Sequence, residues 1–333
     1  MLHKKGTLET KNFRGSKYKF NEGGYMKCLV TGGAGFIGSH MVDRLLKEGH
    51  EVAVIDNLST GDAKNLRLTE TSCHFGQLQD YKFSEEVFRQ FKPEYVFHFA
   101  ALPRVPRSLE DPVGTHDANV NATLVALELS RRYGVKRFMY SASSSAYGVQ
   151  DHMPCDESMK PRPISPYGLQ KYIGELYCKQ YTKHFGLDTV ALRYFNVYGP
   201  RQPMEGTYCL VIGVFLNQIK QGKKLTIFGD GTQTRDFTWI EDIVQGNYLS
   251  MLSTVNLEGQ TINLGAGQEI SVNRIAELIQ SHLGGESEYI NPNPRAAFEE
   301  ARKVADNSKA KKLLNWEPTV FIEEGIKRLC EMT

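Results

Sequence analysis

Tyr167 and Lys171 are the two residues whose types and spacing first suggest chemistry. Ser165 is a good helix N-cap and Pro166 suits the first helical position, so the sequence predicts a helix with Tyr167 and Lys171 on one face. A tyrosine with a pKa of about 10 is a poor base at neutral pH, and a nearby ammonium group favours the phenolate. Chance supplies roughly one such pair in a chain of this length, so the interpretation depends on the residues around it.

A serine-rich stretch provides the first part of that context. Ser143 and Ser144 lie in the run Ser141-Ala142-Ser143-Ser144-Ser145-Ala146-Tyr147-Gly148, at the end of the predicted strand Arg137–Ser141. Ligands bind outside the carboxyl ends of strands in open α/β sheets, so these hydroxyl groups are expected to face a ligand. The alternative is a turn in which the serines cap local backbone groups.

A glycine-rich turn provides the second part. Thr31-Gly32-Gly33-Ala34-Gly35-Phe36-Ile37-Gly38 stands between a predicted strand and a predicted helix, and it satisfies Gly-x-Gly-x-x-Gly. Glycine lets the backbone turn tightly and approach a pyrophosphate, and the helix N-terminus supplies free amide groups. Asp56 ends the next strand, where a carboxylate accepts hydrogen bonds from ribose hydroxyls and repels a 2′-phosphate. The pattern predicts NAD binding rather than NADP binding.

The elements that must position these residues alternate along the chain. Strands are predicted at Lys27–Thr31, Val52–Ile55, Cys73–Phe75, Tyr95–Phe99, Arg137–Ser141 and Thr189–Arg193, and helices at Ile37–Lys47, Asn119–Tyr133 and Pro166–Phe185. Such alternation specifies a parallel sheet covered on both faces. We therefore expect an α/β fold with a Rossmann-type doubly wound sheet over residues 26–198. Residues 199–333 should form mainly a smaller substrate-binding lobe, parts of which return to the first domain.

Composition limits the classes of function. The 333-residue chain has 41% hydrophobic residues, 23% charged residues and a formal charge of +2, which is typical of a globular protein and not of a nucleic-acid-binding one. It has no apolar run as long as a membrane span. Six scattered cysteines, and histidines without metal-ligand spacing, indicate reduced thiols, no metal site and a cytoplasmic location. Residues 1–25 are basic and poor in apolar residues, and we expect them to form a disordered extension.

Taken together, the motifs resemble those of the extended short-chain dehydrogenase/reductases, specifically the nucleotide-sugar 4-epimerases. The resemblance runs from Met26 to about Pro318. It rests on Thr31–Gly38, Asp56-Asn57, Phe97–Ala101, Ser143–Gly148, Tyr167–Lys171, Leu192–Gly199, Phe228–Gly231, Arg235–Phe237 and Ala305-Asp306.

The resemblance implies transient oxidation at C4 of a nucleotide-activated sugar. Tyr167 accepts the proton of the 4-hydroxyl while the C4 hydride passes to NAD, and return of the hydride to the opposite face inverts C4. Lys171 binds the nicotinamide ribose and lowers the pKa of Tyr167, and Ser143 hydrogen-bonds the sugar 4-oxygen. The resemblance also implies a homodimer. The residues expected to contact NAD are Gly32, Gly35, Phe36, Ile37, Gly38, Asp56, Asn57, Gln77, Leu78, Ala100, Tyr167 and Lys171. Those expected to contact the nucleotide sugar are Ser143, Ser144, Tyr167, Asn196, Arg235, Glu299 and Lys303.

Two positions depart from the family pattern. Relatives often carry an aspartate after the glycine at position 76, where this chain has Gln77, whose amide could substitute. Near the C-terminus relatives commonly place an arginine three residues before the acid represented by Glu299; this chain has Ala296 there and Arg295 next to it. It is therefore left open which residue makes this contact to the diphosphate.

Other activities of the same family remain alternatives. A 4,6-dehydratase needs a carboxylate where this chain has Ser144 and Ser145, and serine cannot do that acid–base work. A nucleotide-sugar reductase or decarboxylase shares the sheet and the Tyr–Lys pair. A non-catalytic NAD-binding protein would not need Ser143, Tyr167 and Lys171 together.

The residue two before Ala305-Asp306 is expected to lie beside the sugar, and here it is Lys303. Its ammonium could pair with a sugar carboxylate, lie at the edge of the pocket, or point to solvent. The stretch Arg104-Val105-Pro106-Arg107-Ser108 resembles epimerases of N-acetylhexosamines. We expect a UDP-hexose or a UDP-N-acetylhexosamine, with the nucleotide base, the sugar and the direction of reaction left open.

Overall fold

The computed structural model describes residues 25–204, 209–291 and 302–333, and its centre is a seven-stranded parallel sheet. The strands of the described residues are β1 (Lys27–Thr31), β2 (Glu51–Asp56), β3 (Ser72–Phe75), β4 (Tyr95–His98), β5 (Arg137–Ser143), β6 (Asp188–Tyr194), β7 (Val197–Tyr198), β8 (Leu225–Phe228), β9 (Thr234–Arg235), β10 (Thr238–Trp239), β11 (Gln260–Leu264), β12 (Ile270–Ser271) and β13 (Ser287–Ile290).

The order of strands in the main sheet is β11-β6-β5-β4-β1-β2-β3. The chain runs outward in one direction from β1 to β3 and then in the other from β4 to β6, so the order reverses between β1 and β4. This is the doubly wound arrangement, in which a ligand crevice forms at the carboxyl ends of the strands on either side of the reversal. The expected α/β Rossmann fold is confirmed.

Helices cover both faces of the sheet. They are α1 (Phe36–Lys47), α2 (Tyr81–Phe91), α3 (Val105–Glu110), α4 (Pro112–His116), α5 (Ala122–Arg132), α6 (Pro166–Phe185), α7 (Val211–Lys220), α8 (Ile240–Leu252), α9 (Val272–Leu283), α10 (Ser308–Leu314) and α11 (Ile322–Glu331). Helices α1 and α8 pack together against one face, and α2, α5 and α6 pack side by side on the other. One π-helical turn, Asp117–Asn121, connects α4 to α5 without breaking the helical path.

The second half of the chain divides between the lobe and the sheet. Strand β8 pairs with β13 and β9 pairs with β12, away from the main sheet, and α7 and α9 pack beside them. Strand β11, by contrast, pairs in parallel with β6 and completes the main sheet. Residues after 198 therefore contribute to both parts of the molecule.

Buried Asp236 joins three segments of this second half. Its carboxylate accepts hydrogen bonds from the amides of Ala266 (2.7 Å), Gly267 (3.0 Å) and Ala305 (3.0 Å). Because buried backbone amides need partners, this one side chain fixes the loop after β11 and the segment before α10 against β9.

Two expectations concern residues outside the described part of the chain. The proposed extension over residues 1–25 lies outside it except for Tyr25, and so does Glu299. Within the described part of the chain, no helix has the length and apolar character needed to cross a membrane.

Candidate active site

A cleft of about 640 Å³ lies at the carboxyl ends of the central strands. It is lined by the turn after β1, the ends of β2 and β5, the segment around α3, the start of α6 and parts of the second lobe. The topological reversal thus brings together residues that are far apart in the sequence.

The turn between β1 and α1 forms a narrow cradle. Gly32 has a φ of +70°, and a Cβ atom there would lie 2.6 Å from the amide nitrogen of Ala100; a Cβ atom at Gly38 would lie 2.1 Å from the carbonyl oxygen of Gly32. Gly35 is the N-cap of α1, and it has no side chain that could accept hydrogen bonds from the first amides of the helix. This cradle fits a dinucleotide pyrophosphate, which needs close backbone approach and free amide groups.

Asp56 lies at the edge of the same cleft. Its carboxylate accepts hydrogen bonds from the amides of Ala34 (2.9 Å) and Leu58 (2.8 Å), one on each oxygen. Each carboxylate oxygen can accept a second bond, so the side chain is held in place and can still accept from ribose hydroxyls. The residues present therefore fit NAD.

Most of the expected cofactor residues line the cleft together. They are Gly32, Gly35, Phe36, Ile37, Gly38, Asp56, Asn57, Leu78, Ala100, Tyr167 and Lys171. Gln77 does not line it; its amide oxygen accepts a hydrogen bond from the Asn57 side chain at 2.8 Å. Ser59, Thr60 and Gln79 line the cleft and were not anticipated, although Ser59 and Thr60 follow Asp56 so closely that their position could have been inferred.

Helix α6 presents Tyr167 at its first turn. Pro166 is the first helical residue, Ser165 caps the Gly168 amide at 3.1 Å, and the Tyr167 amide donates to the Ser108 hydroxyl at 3.0 Å. A Cβ atom at Gly168 would lie 2.6 Å from the carbonyl oxygen of Ser145, so the helix starts in close contact with the serine-rich loop. That contact brings Tyr167 close to Ser143, whose side chain acts to lower the pKa of Tyr167.

Lys171 is almost fully buried one helical turn further on. Its ammonium donates to the carbonyl oxygen of Ser141 at 2.8 Å and lies 5.1 Å from the centre of the Tyr140 ring. Burial lowers the pKa of Lys171 to about 8, and the negative charge of Glu175 opposes that shift. At neutral pH Lys171 is therefore still a cation, although its buried position favours the neutral form more than water does.

The environment of Tyr167 has opposing effects on its phenol. Burial raises the pKa of Tyr167 above its usual value, while the charge of Arg104 and the side chain of Ser143 act in the other direction. Arg104 was not anticipated as a site residue. The signal that could have identified it is its position just after β4, at the carboxyl end of a central strand.

His98 is a packed residue and not a candidate for proton transfer. Its ring lies between the hydroxyls of Thr31 (2.7 Å) and Thr123 (2.8 Å), and Thr123 itself donates to the Asn119 carbonyl oxygen. Thr123 must therefore accept from His98, which places the ring proton on Nε2. Burial, reinforced by the charge of Lys171, lowers the pKa of His98 to about 3, so the ring is neutral.

The far side of the cleft carries the expected substrate residues. Ser144, Asn196, Arg235 and Lys303 all line it. The Asn196 amide donates to the carbonyl oxygen of Asp236 at 3.0 Å, and Arg235 donates to the carbonyl oxygen of Thr234 at 2.8 Å. Lys303 is buried and its ammonium lies 3.3 Å from the carbonyl oxygen of Ser144, so the alternative in which Lys303 points to solvent is wrong.

Residues 28–265 match the model of the NAD dependent epimerase/dehydratase family. The chain belongs to this family. It is 41% identical over 316 residues to a UDP-glucuronate 4-epimerase of Thermodesulfobacterium geofontis, covering 90% of this chain and 94% of the relative. It is 36% identical over 310 residues to a UDP-glucose 4-epimerase of Mycolicibacterium smegmatis, covering 92% and 98%.

A solved structure agrees with these sequence comparisons. The UDP-glucose 4-epimerase of Thermotoga maritima, solved with UDP-glucose, is 39% identical and superimposes with a TM-score of 0.87, covering 92% of this chain and 98% of that one. The expected family, its enzymatic nature and its NAD cofactor are thereby confirmed.

Proposed function

We propose that this enzyme inverts C4 of a UDP-activated hexose or N-acetylhexosamine. The observation that carries the proposal is that Tyr167 and Ser143 line the same cleft, where Ser143 acts on the pKa of Tyr167. The only carboxylate among the described residues that line the cleft is Asp56, at the end of β2, three strands from β5. A carboxylate that could eliminate water from the sugar is thus not among the described neighbours of Tyr167, which favours epimerisation over 4,6-dehydration.

The chain's own residues hold and move one proton. NAD, when bound, supplies the acceptor and later the donor of a hydride. Tyr167 accepts the proton of the sugar 4-hydroxyl and returns it when C4 is reduced again, while Ser143 holds the 4-oxygen at the phenol. Lys171 keeps a positive charge on the same helix face and so favours the phenolate form of Tyr167.

Asn196 and Arg235 are proposed to bind the substrate diphosphate. Both are tethered through backbone carbonyl oxygens in the segment 234–236, so their positions are coupled. A guanidinium presents a planar set of donors that suits phosphate oxygens. The proposed contribution of Glu299 concerns a residue outside the described part of the chain.

A substrate panel tests the activity. The NAD-loaded enzyme is incubated with UDP-glucose, UDP-N-acetylglucosamine, UDP-glucuronate and the GDP, CDP and dTDP counterparts, and products are identified by NMR. A C4-inverted sugar nucleotide is the expected product. A 4-keto-6-deoxy sugar would identify a dehydratase, and a pentose product with release of CO₂ would identify a decarboxylase; either would overturn the proposal.

Lys303 is proposed to shape the sugar pocket from its edge, next to Ser144. Lys303→Ser removes the long stem and its charge, and we expect it to change the ranking of UDP-glucose, UDP-N-acetylglucosamine and UDP-glucuronate by kcat/KM. Arg302→Ser is the matched control, because Arg302 is exposed and pairs with Glu269 at 2.8 Å. If Lys303→Ser left the ranking unchanged, Lys303 would not be a specificity residue.

We also propose that the enzyme works as a homodimer in the cytoplasm. All six cysteines are free thiols, a state that a reducing compartment maintains. The exposed apolar side chains of Leu109, Val113, Leu169 and Leu176, on α3, α4 and α6, support the dimer.

A further inference from the structure

Arg104 has a backbone conformation that arginine rarely adopts. Its φ is +93° and its ψ is 135°, close to a region that is populated almost only by glycine. Holding a residue with a side chain in such a conformation costs on the order of 1–3 kcal/mol, and such outliers cluster at functional sites. The side chain lines the cleft. The strained backbone therefore marks Arg104 as a candidate functional residue of the cleft.

The segment that follows Arg104 is attached to the start of α6. Ser108 donates its amide to the Arg104 carbonyl oxygen at 3.3 Å and its hydroxyl to the Val105 carbonyl oxygen at 2.8 Å. The same hydroxyl accepts from the Tyr167 amide at 3.0 Å. One serine thus links the backbone of Arg104 to the backbone of Tyr167, and the two side chains enter the same cleft.

Three other titratable groups in this region donate to backbone oxygens or are neutral. On α6, the Lys171 ammonium donates to the Ser141 carbonyl oxygen, and on β4 His98 is a neutral ring. In the second lobe, the Lys303 ammonium lies against the Ser144 carbonyl oxygen. Arg107, on α3, also lines the cleft.

Arg104 and Tyr167 act on each other's pKa. The guanidinium acts to lower the pKa of Tyr167, while burial, opposed by the charges of Tyr167 and Cys209, lowers the pKa of Arg104. A phenolate on Tyr167 is a negative charge that the Arg104 guanidinium would stabilise.

We propose that Arg104 is a positioning residue whose guanidinium stabilises the phenolate form of Tyr167, sharing with Lys171 the task of preparing the base. The strained backbone places Arg104 in the cleft lining, and the Ser108 bridge holds its backbone and that of Tyr167 together. This proposal takes from the proposed function only that Tyr167 is the base, and its test needs no turnover.

The experiment measures the ionisation of Tyr167 directly. Full-length protein saturated with NAD and labelled at tyrosine Cζ is titrated by NMR, and Tyr167→Phe identifies the signal among the sixteen tyrosines. Arg104→Gln removes the charge and keeps the strained backbone, Arg104→Gly removes both, and Arg104→Lys keeps a cation. Arg107→Gln is the matched control on the same segment.

We expect Arg104→Gln and Arg104→Gly to raise the pKa of Tyr167 by about one to three units. Arg104→Lys should restore most of the shift and Arg107→Gln should leave the pKa unchanged. Arg104→Gly should unfold at a temperature no lower than the wild type, which separates loss of charge from loss of structure. An unchanged pKa of Tyr167 in both Arg104→Gln and Arg104→Gly would overturn the proposal, whatever the substrate panel shows.

Discussion

Tyr167 is the residue on which the proposed chemistry depends most. Replacing it by phenylalanine removes one oxygen atom and leaves the helix start intact, because Ser165 and Ser108 bind backbone amides. We expect kcat to fall by about 10²- to 10⁴-fold, the usual contribution of general acid–base catalysis. The dissociation constants for NAD and the UDP-sugar, measured by calorimetry, should change little. A Tyr167→Phe enzyme with most of its activity would refute the mechanism.

Lys171 gives the activity a predicted dependence on pH. Because burial lowers its pKa to about 8, the ammonium is charged below that pH and becomes neutral as the pH rises through it. A neutral Lys171 no longer favours the phenolate of Tyr167, so kcat/KM should fall on the alkaline side with an apparent pKa near 8. Steady-state rates between pH 6 and 10, roughly the range that spans this pKa, test it. Lys171→Met should be slow and lack this limb, and a wild-type profile that stays flat would contradict the assignment.

At the scale of single residues, the sequence predicted the site better where a local pattern exists. The Gly32–Gly38 turn, Asp56, Ser143 and the Tyr167–Lys171 pair each follow from spacing beside a strand or helix end. Arg104 has no such pattern. Apart from its position after β4, its importance depends on a backbone angle and on contact between α3 and α6, which neighbouring residues do not reveal.

Helix α6 shows how far local signals determine an element. Its bounds, Pro166–Phe185, are those predicted from the sequence, with Ser165 and Pro166 marking its start; Gly186 ends the helix at a φ of +71°. The helix expected over Asn119–Tyr133 instead begins its α-helical part at Ala122, after the π-helical turn. A single inserted residue leaves the apolar periodicity almost unchanged, so periodicity could not reveal that turn.

Gly168 sets the distance between α6 and the serine-rich loop. In Gly168→Ala the new methyl group would meet the Ser145 carbonyl oxygen at 2.6 Å and the Pro163 Cβ at 3.2 Å. The helix start must move away, which separates Tyr167 from Ser143, although alanine favours the helix by about 1 kcal/mol. We expect kcat to fall at least about tenfold, since small misplacements of reacting groups cost that much or more. Gln180→Ala, at an exposed position of the same helix, is the control; equal kcat values for the two variants would contradict this role.

At the scale of the molecule, the sequence could not place β11. Gln260–Leu264 pairs with Val190–Tyr194, and no local pattern signals a partner so distant in the chain. Asp236 has the same character: the sequence singled out the motif Arg235-Asp236-Phe237, but the role of its aspartate appears only when the segments around Ala266 and Ala305 fold against it. Long-range pairing, unlike capping or periodicity, is a property of the assembled chain.

The proposed dimer would use a surface formed by three helices. Helices α3 and α4 pack against α6, and this surface exposes Leu109 (49%), Val113 (79%), Leu169 (48%) and Leu176 (42%). Leu169 and Leu176 are seven residues apart and share one helix face. Exposed large apolar side chains on helices that pack together are consistent with an interface between subunits.

We therefore expect the wild-type protein to sediment as a dimer and the double variant Leu169→Asp, Leu176→Asp to sediment as a monomer, because two buried charges per subunit would lack partners. Leu68→Asp, at an exposed leucine (55%) away from these helices, is the control and should remain dimeric. Circular dichroism of each variant confirms that the fold is kept. A wild-type protein that stays monomeric at every concentration, or a dimer unaffected by the double variant, would place the interface elsewhere or remove it. Since Leu169 lies two residues from Tyr167, a dimer through this face would also brace the helix turn that carries the base.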